Sequence, residues 1–292
     1  MFTIGCHLST KKGFLHMAQE TISMQGNTFQ YFTRNPRGGH IKEIDPTDIT
    51  AYKAYADQHG IKTLMAYAPY DIEPASNDLK TRDFALLVMA EDMARAEEIP
   101  HQMYLVRPGS ALGQPKEQAL ANVASAINQT LTPVQTTKLL ICTMPGEGTQ
   151  IGSSFEELAT IFTHIDLVEH VGICLDASAV WACGYDIVND LDGVLDEFDK
   201  SIGLHNLCAI HLNDCKEPCG SRAVRHTRIG EGAIGFDTLA ALVTNPRTAT
   251  CAFYLEEPGD DLAIYTEDLA RFHAVRTDQL SNQTIYASAH VR

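Results

Sequence analysis

A chain of 292 residues is about twice the length of an ordinary domain, so it fits either two domains or one α/β barrel of roughly 250 residues with extensions. Hydrophobic residues make up 45% and charged residues 20%, with 20 Gly and 12 Pro; this supports a full core and excludes a disulfide-stapled miniprotein or a low-complexity chain. The 22 basic and 37 acidic residues leave a net charge of −15, which argues against a surface that is basic all over but leaves a local basic groove open.

In chain order, short apolar runs rich in β-branched and aromatic residues begin near Thr3, Thr28, Lys62, Gln102, Lys138, Val171, Leu207 and Cys251, and amphipathic stretches separate them. In one such stretch Leu79, Leu86, Ala90 and Met93 share a helical face after a cap at Ser76 or Asn77. Eight strands alternating with helices predict a single (β/α)8 TIM barrel; a doubly wound open sheet is the competing pattern. The barrel is expected over residues 1–276, followed by a polar, unpacked C-terminal extension over 277–292. The opening Met1-Phe2-Thr3-Ile4-Gly5 lacks the layout of a signal peptide, and no apolar run is long enough to span a membrane. With eight cysteines, mostly in strand-like runs, the expectation is a cytoplasmic protein with reduced thiols. Cys215 and Cys219 form a C-x3-C, read as solvent-exposed thiols in preference to a zinc site.

Barrel strands converge at their C-terminal ends, where the sequence places His7, Thr33, Tyr67, Arg107, Cys142, Asp176, His211 and Glu256. The set is too polar for a core. Buried Asp, His and Glu need partners, and a metal or charged substrate supplies them most simply.

Several segments resemble the endonuclease IV family, zinc-dependent enzymes that cut DNA beside abasic sites. They are Ile4-Gly5-Cys6-His7-Leu8-Ser9, Phe32-Thr33-Arg34-Asn35-Pro36-Arg37, Ala68-Pro69-Tyr70, Pro108-Gly109-Ser110 and Gly172-Ile173-Cys174-Leu175-Asp176. The most specific run goes from His211-Leu212-Asn213-Asp214 through Gly220-Ser221 and Arg225-His226 to Ile229-Gly230-Glu231-Gly232 and Ile234-Gly235. The resemblance implies a barrel holding three zinc ions on nine ligands at the strand ends, hydrolysing a phosphodiester by multi-metal chemistry.

Against that pattern the chain has Tyr67 and Arg107 where the family has two histidines, and Cys142 at the bridging glutamate. Ala179 replaces a further histidine and Val224 an aspartate. Five of the nine ligands are thus replaced, leaving Asp176, His211, Glu256 and a remnant His226. Loss of direct ligands should empty two of the three sites; the middle one keeps Asp176, His211 and Glu256, with Cys142 as a competent fourth donor. The expectation is at most one zinc, with a metal-free polar cluster as its alternative. Arg107 is read as an anion-binding cation that replaces lost metal charge and pairs with Asp176, Glu256 or a bound anion. For DNA the resemblance points to Asn35, Arg37, Tyr70 and Arg225, while Arg34, Arg37, Arg222, Arg225 and Arg228 form a possible basic rim.

Three functions follow from this reading. The first is a homologue impaired or inactive in phosphodiester hydrolysis, a monomer that retains weak binding of abasic DNA or of a small anionic ligand. The second is a single-metal isomerase-like, epimerase-like or hydrolytic enzyme of the same barrel superfamily, with His226 or Glu147 as base. The third is an active abasic endonuclease in which Glu147, Cys174 or Glu257 replace missing ligands.

Overall fold

The computed structural model describes residues 2–35, 41, 43–259 and 261–289. In chain order its elements are β1 (Thr3–His7), α1 (Phe14–Ser23), β2 (Thr28–Phe32), α2 (Pro46–His59), β3 (Met65–Tyr67), α3 (Leu79–Ala96), β4 (Met103–Val106), α4 (Lys116–Thr130), β5 (Lys138–Cys142) and α5 (Phe155–Phe162). They continue with β6 (Val171–Asp176), α6 (Ala177–Cys183), α7 (Leu191–Ser201), β7 (Leu207–His211), the hairpin β8 (Asp214–Cys215) and β9 (His226–Thr227), α8 (Gly235–Thr244), β10 (Ala252–Leu255) and α9 (Leu262–Ala289). Eight parallel strands close in the order β1-β10-β7-β6-β5-β4-β3-β2, which is a TIM barrel and excludes the open sheet. The strands near Lys62, Gln102 and Cys251 start slightly later than their apolar runs.

Side chains alternate between two cores, as strand pleating requires. Outward residues such as Ile4, Phe29, Tyr104, Ile141, Ile173 and Ile210 pack beneath the helices. Inward residues including Met65, Tyr67, Leu105, Leu140, Cys142, Cys174 and Tyr254 fill the barrel. Gly5 has a steric reason: a Cβ there would lie 1.7 Å from the Thr28 carbonyl oxygen, so only glycine lets β1 close on β2 at that point.

Helix α3 departs from the expected face. Its cap is Asp78, whose side chain accepts from Thr81 N, and its buried residues are Ala85, Val88, Met89, Asp92, Met93 and Ala96. Leu79 and Ala90 are exposed and Leu86 is half-buried, so Met93 alone of the expected face is buried. At the other end, α9 runs unbroken through position 277 to Ala289, so no element boundary falls at 276. Positions 290–292 of the expected extension lie outside the described residues. All eight cysteines are free, but Cys215 is fully buried and only Cys219 of that pair reaches partial exposure, since β8 places Cys215 under the loop that follows β9. Among the described residues, no helix is long and apolar enough to cross a membrane.

Candidate functional site

The parallel barrel delivers its strand ends to one mouth, and there the inward positions become polar. Asp176 ends β6 and also caps α6, its Oδ1 accepting from Ala179 N at 3.0 Å. The helix dipole thus favours a carboxylate at this place. His211 ends β7, fully buried, and Glu256 follows β10. One ligand atom from each of Asp176, His211 and Glu256 lies within 4.8 Å of the others.

Polar neighbours hold each of the three. Ser178 Oγ donates to Asp176 Oδ1, and Asn213 Nδ2 donates to Asp176 Oδ2 at 2.8 Å and to Glu256 Oε2 at 3.3 Å. Gln30 spans His7, His211 and Glu256 with one amide. His226 Nε2 lies 3.1 Å from Ser178 Oγ; because that hydroxyl gives its proton to Asp176, it accepts from His226, linking the remnant histidine to the cluster. His211 Nδ1 is buried with no hydrogen-bond partner, 3.6 Å from Asp176 Oδ2.

The charges follow from this crowding. Burial alone would raise the pKa of Glu256, yet His211 and His7 beside it hold the carboxyl well below its usual range. Asp176 is likewise lowered against the cost of burial, by His211, His226 and Ser178. Burial opposes a charge on His211, but Glu256 and Asp176 outweigh it and push the imidazole up to about 9.

The other side of the mouth has a different chemistry. Tyr67 is buried and stacks on Phe32 with ring centroids 5.4 Å apart. Arg107 Nε donates to Tyr67 Oη at 2.9 Å, and its guanidinium carbon lies 4.0 Å from the centre of the Tyr70 ring. Arg107 therefore forms a stack with the two tyrosines and makes no ion pair with Asp176 or Glu256. Among the described residues, its terminal Nη groups have no protein partner. The Cys142 thiol hydrogen-bonds with that of Cys174, which, with His211 and Arg107 nearby, lowers its pKa. Cys142 falls outside the Asp176, His211 and Glu256 group, and its neighbour across the β5–β6 register is Cys174. A cavity of about 330 Å3 opens between the two sides, lined among others by Arg107, Cys142, Glu147, Asp176, Ala179 and His226.

A family profile described as "Xylose isomerase-like TIM barrel" matches residues 22–275. The chain is 45% identical over 260 residues to a probable endonuclease 4 of Clostridium beijerinckii, covering 89% of this chain and 94% of that protein. It is 43% identical over 258 residues to one of Akkermansia muciniphila, covering 88% and 93%. The chain belongs to the endonuclease IV family. The crystal structure of endonuclease IV from Thermus thermophilus superposes with a TM-score of 0.82 at 26% identity, covering 96% of this chain and 99% of that one.

The fold also explains the most specific stretch of the endonuclease IV resemblance. Asp214 accepts from the backbone N–H groups of Cys215, Gly230, Gly232, Ile234 and Gly235, so one carboxylate organises the loop between β9 and α8. A Cβ on Gly232 would lie 2.2 Å from Asp214 Oδ1. The motif is thus a folding unit that holds His211 and Asn213 in place.

Several sequence candidates are relocated. Arg34 is buried and pairs with Asp92 at 2.6 Å and Glu91 at 3.3 Å, so it belongs to the core and not to a basic rim. Arg225 pairs with Glu217 and Arg228 with Glu267, which neutralises much of what remains. Ala179 and Val224 line the cavity. Tyr70 is 41% exposed beside Arg107, Asn35 is exposed, and Arg37 lies outside the described residues. Of the substitute ligands, Cys174 is fully buried and faces Cys142. Glu257 turns away, accepting from Ile229 N at 3.2 Å, and its burial next to Asp268 raises its pKa to about 7. Sequence reasoning misses Gln30, Asn213 and Ser178, although the inward alternation of Thr28, Gln30 and Phe32 on β2 is a readable signal for the first.

Proposed function

We propose that this chain is a diverged endonuclease IV homologue whose mouth takes at most one zinc and which is strongly impaired in cutting abasic DNA. The observation that carries this reading is the Tyr67, Arg107 and Tyr70 stack. A guanidinium already sits where the family resemblance expects ligands for a zinc, and a dication beside it would be repelled.

The remaining donors do fit one ion. Two carboxylates and an imidazole suit zinc, and the orphaned, buried His211 Nδ1 is the atom that such an ion would satisfy. Asp176, His211 and Glu256 would hold it, while His226 through Ser178, and Asn213, orient the carboxylates. When bound, zinc supplies Lewis-acid polarisation of an oxygen on the ligand. Arg107 offers its free Nη donors to a phosphate or carboxylate across the cavity, and Tyr70 adds an aromatic face. DNA binding through Asn35, Arg37, Tyr70 and Arg225 is weak, because the −15 charge is not offset by a full metal cluster. The protein acts in this reading as a cytoplasmic monomer.

Purified protein, assayed on a duplex with one abasic site, is expected to bind no more than one equivalent of zinc and to leave the duplex largely intact. Zinc-dependent incision at nanomolar enzyme, or three equivalents of tightly bound zinc, would sink the proposal.

A further inference from the structure

Gln30 is fully buried in the middle of β2, with Cα partners His7 on β1 and Met65 on β3. Burying a primary amide inside a barrel is costly unless all of its groups are used, and here they are. Its Nε2 donates to Glu256 Oε1 and lies 2.8 Å from His7 Nδ1; its Oε1 lies 2.6 Å from His211 Nε2.

Only one orientation of this amide is consistent with its neighbours. An ionised carboxylate only accepts, so the NH2 group must face Glu256, and the carbonyl oxygen is left facing His211. A carbonyl oxygen cannot donate, so His211 Nε2 must carry a hydrogen. The nitrogen that becomes an electron-pair donor once His211 gives up its second proton is therefore Nδ1, the buried atom with no hydrogen-bond partner, 3.6 Å from Asp176 Oδ2. Flipping the amide would set oxygen against carboxylate and cost two hydrogen bonds.

We infer that Gln30 is a positioning residue that assigns the two nitrogens of His211, reserving Nδ1 for a metal shared with Asp176 and Glu256, and that it fixes the Glu256 carboxylate at the same time. This rests on the single-metal reading of the mouth. Gln30 touches neither metal nor substrate in this role; it acts by hydrogen bonds to the groups that do.

The test uses the full-length protein labelled with 15N histidine, with Zn2+ and 113Cd2+ as probes. In wild type, the His211 Nε2–H should appear as a slowly exchanging proton, and 113Cd should couple to Nδ1. Gln30→Leu should lose the protected proton and bind zinc about 10- to 100-fold more weakly, the usual cost of removing such a supporting hydrogen bond. Gln30→Glu keeps an acceptor for His211 but sets like charge against Glu256; it should retain the protected proton while still weakening zinc binding, and it serves if the leucine variant does not fold. Cadmium coupled to Nε2, an unprotected Nε2–H in wild type, or wild-type zinc affinity in both variants would overturn the inference. Wild type that binds neither ion but shows the protected proton, lost in Gln30→Leu, defeats the single-metal reading and the reserved Nδ1 while leaving the control of His211 by Gln30 intact.

Discussion

Along β6, β7, β10, β1 and β2 the mouth carries Asp176, His211, Glu256, His7 and Gln30, joined by hydrogen bonds through Gln30 and Asn213, whereas along β3, β4 and β5 it carries Tyr67, Arg107 and Cys142. The first arc is left with an unsatisfied buried nitrogen at its focus. The second is closed by its own cation: Arg107 donates through Nε to Tyr67 and stacks on Tyr70, and Cys142 lies beside Cys174. One barrel therefore sets three candidate metal ligands on one side and a resident cation on the other. The difference shows that neighbouring strand ends of one mouth can carry opposite chemistry when each side supplies its own partners.

The closed arc is braced from behind by Arg34, Asp92, Thr33 and Tyr104, and the sharpest way to break the comparison is there. Arg34→Met leaves Asp92 buried without its counter-ion and should cost about 3–5 kcal/mol of folding stability, read from urea unfolding. A loss under about 1 kcal/mol would mean that this arc does not depend on the pair.

In the open arc the expected effect is on metal binding. A metal must displace the proton that His211 holds up to about pH 9, so apparent zinc affinity should climb about tenfold per pH unit between pH 7 and 9, measured by competition with a chelator. Without metal the sign is opposite. A histidine raised above its ordinary value of 6.5 contributes stability that is fully present below that value and is lost as pH rises through about 9. Thermal melts of the metal-free protein should therefore fall over this window. Zinc affinity independent of pH there would remove His211 from the site.

The smallest of the three effects tests the resident cation. Arg107→Gln should weaken binding of a short phosphorylated oligonucleotide about tenfold, the scale of one charge-assisted hydrogen bond, as read by fluorescence anisotropy. Unchanged affinity would place the anion elsewhere.

Much of the molecule is legible before folding. Period-two apolar runs at regular spacing specify strands, and their C-terminal residues face one mouth in any parallel barrel, so Asp176, His211 and Glu256 can be assigned to one place. Arg34 misleads because a charged residue on a loop is usually solvated, and only packing reveals that Asp92 of α3 lies beneath it. Cys142 reads as a donor from its place at a strand end, and only the β5–β6 register reveals that Cys174 lies beside it. The buried face of α3 is displaced because packing turns Ala85, Val88, Met89 and Asp92 inward, with Asp92 paired to the buried Arg34.

By itself, the sequence determined the barrel and the family, since these depend on residue type, order and local periodicity. Tertiary structure alone decided which polar groups satisfy one another. Gln30 reaches residues 181 and 226 positions away, and no local pattern encodes such distances. Whether a buried nitrogen is paired or left for a ligand depends on the closure of the whole sheet, which brings β2 beside β1 and sets β10 and β7 on its far side.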